Sequence, residues 1–130
     1  METISQRSGD NLTITKRKLG DYYEHKASQF LQAKGLLLIE QNYQSRVGEI
    51  DLIMKDKTCL VFVEVRYRKH SLYGDAQSTV TTKKQQKVMN AALLWMQQQN
   101  LNSEAIEYRF DVFAITGKQS QWIQNAFASD

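Results

Sequence analysis

No proline occurs anywhere in this chain, glycine is limited to six residues and cysteine to one. With an apolar share of 42% and a charged share of 24%, the composition excludes collagen-like, coiled-coil and bulk-disordered classes. The single thiol, Cys59, can close no intramolecular disulfide; it lies in the apolar run CLVFVEV, where it acts as a small hydrophobe and suits a reducing cytosol. No stretch approaches the ~18 apolar residues of a membrane-spanning helix. The N-terminal METISQRSGDNLTITKRK has no apolar segment behind its charges, so neither insertion nor export is expected. Enzyme signatures are missing as well. There is no Gly-rich phosphate loop, CxxC pair, HExxH or GxSxG, which removes the main support for P-loop NTPase, zinc-ribbon, zincin and esterase readings.

What is present fits one domain of 130 residues with a single core. Seventeen Lys and Arg against fourteen Asp and Glu give a formal charge of +3, and the pI is near 9.0, which permits polyanion binding without demanding it. The basic residues gather at Lys16-Arg17-Lys18, at Arg66 to His70 and at Lys83-Lys84-Gln85-Gln86-Lys87. Solvated faces would account for these clusters equally well.

Residues 1 to 18 are polar and aperiodic and read as a flexible leader, with one domain over 19 to 130. From Gly20 the positions Tyr23, Ala27, Phe30, Leu31 and Lys34 recur with helical spacing, and Gly35 is a stop. Leu36 to Tyr43 reads as a strand, followed by a turn over Ser45 to Gly48 and two strands, Glu49 to Met54 and Cys59 to Tyr67. The last of these is almost continuously apolar, as a central strand covered on both faces would be. After a loop from His70 to Val80, Thr81 or Thr82 can cap a second helix reaching about Asn100, and Glu107 to Thr116 alternates like a strand. Trp122, Ile123 and Phe127 are left to pack over an edge. The order is αβββαβ.

Strand parity sets Glu49, Asp51 and Ile53 on one side and Ile50, Leu52 and Met54 on the other; Phe62, Glu64, Arg66 and Arg68 likewise share a side. A turn centred between Asp56 and Lys57 faces Asp51 with Phe62 and Glu49 with Glu64, so that Glu49, Asp51 and Glu64 converge on one sheet face. Like charges gathered there raise one another's pKa unless a cation compensates. A hard divalent ion, Mg²⁺ or Mn²⁺, suits such an all-oxygen site, and it activates water for phosphodiester hydrolysis. The plainer reading pairs Glu49 and Glu64 with Arg46, Arg66 or Arg68 in solvated salt bridges. Glu24 borders the apolar stripe of the first helix and could reach the cluster, or could pair with Lys26 or Arg68.

Together, GEIDLI at 48 to 53 and VFVEVRYR at 61 to 68 resemble the D-(x)n-E-x-K signature of the PD-(D/E)XK nuclease superfamily, whose fold is restriction-endonuclease-like. The separation of thirteen residues between Asp51 and Glu64 is like that in archaeal Holliday-junction resolvases. Residues 20 to 116 resemble the YraN family of uncharacterised bacterial proteins, related to those resolvases. The resemblance rests on the glutamate-bearing first helix, GEIDLI, VFVEVRYR, the Tyr73-Gly74 loop, the Lys/Gln-rich helix start and Arg109-Phe110-Asp111. It implies Asp51 and Glu64 as core metal ligands, Glu24 and Glu49 as accessory carboxylates, Gln86 near the site, and DNA as partner, with a homodimer compatible. One position departs from the signature: Arg66 stands where the lysine is usual. A guanidinium cannot act as a base, although it can clamp a phosphate.

Three cations opening the second helix are unfavourable against its dipole and suggest a nearby anion, which makes Lys83, Lys84 and Lys87 phosphate candidates beside Arg66 and Arg68. A solvated first turn is the plainer account. His25 and His70 read as surface residues, Tyr73 as an edge-packing ring that could instead stack on a base, and Arg109 and Asp111 as an outward-facing structural pair. The leading reading is a Mg²⁺-dependent DNA endonuclease-type site acting on phosphodiesters, with branched DNA as one substrate form. The alternative is a non-catalytic nucleic-acid-binding module that lost cleavage with the motif lysine. A protein-interaction domain is a third reading, supported only by the modest net charge.

Overall fold

The computed structural model describes residues 15–70 and 76–128. Helix α1, Lys16–Ala33, is capped by Thr15, whose hydroxyl accepts from the Lys18 amide at 3.1 Å. It therefore starts before Gly20 and takes in the Lys16-Arg17-Lys18 cluster that was expected to belong to the leader. Residues 1–14 lie outside the described residues. The helix ends as its sequence dictates. Gly35 takes φ 102°, the amide of Leu36 reaches back to the Leu31 carbonyl at 3.1 Å and that of Gly35 to Gln32 at 3.0 Å, a Schellman closure.

Strands β1 (Leu37–Ser45), β2 (Gly48–Asp56) and β3 (Cys59–Arg68) form an antiparallel meander. A short 3-10 turn, Ala76–Thr79, then leads into helix α2, Thr82–Gln98, capped by Thr81. The chain crosses over to β4, Tyr108–Thr116, which runs parallel to β3, and returns as β5, Gln119–Phe127, antiparallel to β4. The sheet order is β1-β2-β3-β4-β5, a mixed sheet with the α/β layering expected of a restriction-endonuclease-like core. The fifth strand is a correction. Residues 119–127 do not merely pack over an edge, since Phe127 pairs with Phe110 and Trp122 with Phe113 in a ladder. Among the described residues no helix is long and apolar enough to cross a membrane.

The two helices cover opposite faces. Ile53, Phe62, Phe110 and Val112 pack with Val88, Trp95 and Met96 of α2, while Leu52, Met54, Val61, Val63 and Phe113 pack with Ala27 and Leu31 of α1. Strand β3 is third of five and buried continuously from Leu60 to Glu64, which is why its sequence has no polar alternation.

Two sequence expectations for β2 fail in register. Asp56 pairs with Cys59 and Ile53 with Phe62, so the turn is Lys57-Thr58 rather than one centred between Asp56 and Lys57. Asp56 is retained in the strand by an ion pair with Arg109 at 3.2 Å, and Lys57 takes the positive φ of the turn, 59°. Alternation also breaks at Asp51. Ile50 lies with Ile53 on the α2 side while Leu52 faces α1. The β2–β3 ladder stops at Leu52 and Val63, and Asp51 Oδ2 itself accepts from the Val65 amide at 2.8 Å. The two strands part there, and the site opens in the fork.

Candidate metal centre

The fork gives Asp51 a fixed orientation, because its carboxylate replaces a backbone partner in the interrupted ladder. Glu64 follows on β3 and is 1% exposed, on the side covered by α2. Its Oε2 is the one described buried side-chain oxygen or nitrogen without a hydrogen-bond donor. Two cations stand nearby without donating to it: Lys84 Nζ at 3.3 Å and Arg66 Nη1 at 3.8 Å. Burial pushes the Glu64 carboxyl well above the usual carboxylate range, and the adjoining Asp51 raises it further against the opposing pull of Lys84 and Arg66.

Glu24, on the α1 side, meets Asp51 from the other direction. Its burial, the charge of Asp51 and, more weakly, Asp21 and Glu49 raise its pKa to about 8. Asp51 thus lies near enough to both Glu24 and Glu64 for its charge to hold a proton on them. The expected trio on one sheet face is corrected to a line, Glu24–Asp51–Glu64, that passes through the fork. Glu49 is exposed and stays at the rim.

Glu24, Glu49 and Asp51 line a cleft of about 630 Å³ that also takes in Tyr23, Arg66, Arg68, Lys84 and Thr79, while Glu64 is buried behind it. A smaller hollow of about 260 Å³ adjoins it, sharing Glu49 and Lys84 and adding Arg46 and Lys87. Lys84 and Lys87 therefore face the site, whereas Lys83 is exposed and lines neither hollow. Gln86, expected near the site, is on the outer side of α2, where its amide donates to Asn90 at 3.0 Å. Arg66 is tethered: its Nε donates to Thr79 Oγ1 at 2.8 Å, and that hydroxyl donates to the Ala76 carbonyl at 2.7 Å. His25 is exposed, and Tyr73 lies outside the described residues.

Other roles were not visible in the sequence. Gly48 opens GEIDLI because a side chain there would run into the Lys87 carbonyl oxygen, so this glycine lets α2 dock against the start of β2. Arg109 and Asp111 do pair, at 3.0 Å, but Asp111 is 0% exposed rather than outward-facing. It also accepts from Trp122 Nε1 at 2.9 Å and from the Asn125 amide at 2.9 Å, so this buried acid ties β5 to β4.

Among the described residues no three His, Cys, Asp or Glu side chains already close around one metal-sized point. The donor set nevertheless fits a hard cation. Asp51 and Glu64 offer carboxylate oxygens, one of them buried and without a donor, and no thiol or imidazole lines the cleft. Glu24 and Glu49 could complete such a shell from the α1 side and the rim.

The family model described as "Uncharacterised protein family UPF0102" matches residues 23–115, a span that encloses Glu24, Asp51, Glu64 and Lys84. The chain is 44% identical over 127 residues to UPF0102 protein YraN of Escherichia coli (strain SMS-3-5 / SECEC), covering 98% of this chain and 97% of that protein. The protein of the same name from Shigella flexneri serotype 5b (strain 8401) is equally similar. The one from Escherichia coli (strain K12 / DH10B) is 43% identical over the same length.

Proposed function

The chain belongs to the uncharacterised protein family UPF0102, and from its cleft we propose a Mg²⁺- or Mn²⁺-dependent site that hydrolyses phosphodiester bonds in DNA. The observation that carries this reading is the buried Glu64 Oε2, without a donor, beside Asp51 and within 3.8 Å of two cationic side chains. A purely structural glutamate at such depth would be satisfied by hydrogen bonds.

In this reading Asp51 and Glu64 hold the divalent ion, with Glu24 and Glu49 as accessory carboxylates. The bound ion supplies charge to polarise the phosphate and to lower the pKa of the attacking water. Lys84 provides the ammonium that is missing two residues after Glu64, reaching the carboxylate from the first turn of α2 instead of from β3. Arg66 remains a permanent cation whose tether to Thr79 fixes its guanidinium at the cleft wall, where it binds phosphate. Arg68 and Lys87 extend the cationic margin.

The alternative, binding without cleavage, is favoured by Arg66 standing at the usual lysine position. Nicking of branched and linear DNA in Mg²⁺ or Mn²⁺ separates the two. The proposal expects wild type to nick and Asp51→Ala to be inactive, while DNA bound but never nicked would favour the alternative. Nicking that survives Asp51→Ala would reject the site.

A further inference from the structure

A second hollow, of about 440 Å³, adjoins the carboxylate cleft, and Tyr23 lines both. Tyr23 is stacked on Tyr67, with ring centroids 4.0 Å apart and planes at 14°, so the partition between the hollows is a rigid aromatic pair. Next along α1, Tyr22 meets Tyr23 edge-on at 5.0 Å yet is 52% exposed, and Phe30, 38% exposed, leans on Phe113 at 5.1 Å.

The charge of this hollow differs from that of the cleft. Lys26 and Lys118 line it and no carboxylate does, whereas Glu24, Glu49 and Asp51 line the cleft. Lys26 Nζ lies 5.4 Å from the centre of the Tyr22 ring. Beyond Gly117 and Ser120 a further hollow carries Lys69, again without an acid. Partly exposed aromatic rings with an ammonium over each, Lys26 on Tyr22 and Lys34 on Phe30, suit a ligand that is planar and anionic in alternation. Nucleotides of a single strand have that form, and paired bases do not, because their faces are already covered by their neighbours.

Resting on the phosphodiester reading of the cleft, we propose that the Tyr22–Phe30 hollow receives unpaired nucleotides of the strand whose backbone lies at the carboxylates. The substrate class is then DNA in which a duplex meets a single strand, as in an overhang, fork or flap. Tyr22 supplies the stacking face, and Lys26 and Lys118 contact the phosphates.

Fluorescence anisotropy in Ca²⁺ buffer tests this with one duplex, prepared blunt and with a single-stranded overhang. Wild type should prefer the overhang by roughly tenfold, within the range for one or two stacked bases. Tyr22→Ala and Lys118→Ala should reduce that preference toward the blunt value, while Tyr22→Phe should keep it. A 2-aminopurine in the overhang should be quenched by wild type and not by Tyr22→Ala. Equal preference in wild type and Tyr22→Ala, with DNA still bound, would overturn the inference and leave the cleft reading intact. Tyr22-dependent binding of a poly-glutamate peptide in place of DNA would make the occupant an acidic peptide and overturn it as well. Failure of wild type to bind either DNA would remove the cleft reading and the inference together.

Discussion

Lys84 Nζ stands 3.3 Å from Glu64 Oε2, joining the first turn of α2 to the buried acid of β3. Lys83 precedes it in sequence yet lines neither hollow. Lys84→Ala should therefore lower the nicking rate by roughly a hundredfold or more, the usual scale for a group that assists proton transfer. Lys83→Ala should leave it near wild type. Equal losses in the two variants would mean that the helix start contributes general charge rather than a positioned ammonium.

The crowded carboxylates make the metal-free fold sensitive to alkali. Glu24 titrates near 8 in the fold, against an ordinary value of 4.5, so the folded protein holds a proton between those limits that the unfolded chain has released. Stability from this group is complete below about 4.5 and declines as pH rises toward 8, and Glu64, raised as well, adds in the same direction. Melting temperature in chelator should fall between pH 5 and pH 8.5. Glu24→Gln should flatten the profile, and Mg²⁺ should restore stability at the alkaline end. A wild-type profile already flat in chelator would contradict the coupling.

Asp111 gathers donors from Arg109, Trp122 and the Asn125 amide, with no exposure to solvent. Removing it strands the Trp122 and Asn125 donors and leaves the Arg109 guanidinium with Asp56 alone, which costs about 3–5 kcal/mol. Urea denaturation of Asp111→Ala should show a loss of this size, and a loss below ~1 kcal/mol would show that the network contributes little.

Gly48→Ala tests the docking of α2 on β2. The added methyl meets backbone, which yields less readily than a side chain, and the expected cost is about 1–3 kcal/mol. Because α2 also carries Lys84, nicking should fall with it. Unchanged stability and activity would mean that the helix start moves aside freely.

The parts of the fold that depend on local pattern were legible. The uninterrupted apolar run of β3, the stop at Gly35 and the Thr81 cap follow from residue type and spacing, and Asp51 and Glu64 stood out from their motifs. What depended on contacts distant in sequence was not. The turn shifted by one residue because Arg109 holds Asp56 in β2, and alternation failed at Asp51 because its carboxylate bonds to the Val65 amide. Asp111 read as outward because its partners in β5 are known only once the chain has folded back. Gln86 was implied by the resemblance alone; it is two positions from Lys84, about 200° around the helix, so with Lys84 at the site Gln86 faces outward.

Calorimetric titration of Mn²⁺ into wild type and into the Asp51→Asn/Glu64→Gln double variant tests the metal centre most directly. Wild type should bind Mn²⁺ with saturable heat. The double variant should show none while remaining folded, since mutual repulsion in the cluster is relieved. Equal Mn²⁺ affinity in the two proteins would contradict the assignment of this carboxylate line as the metal centre.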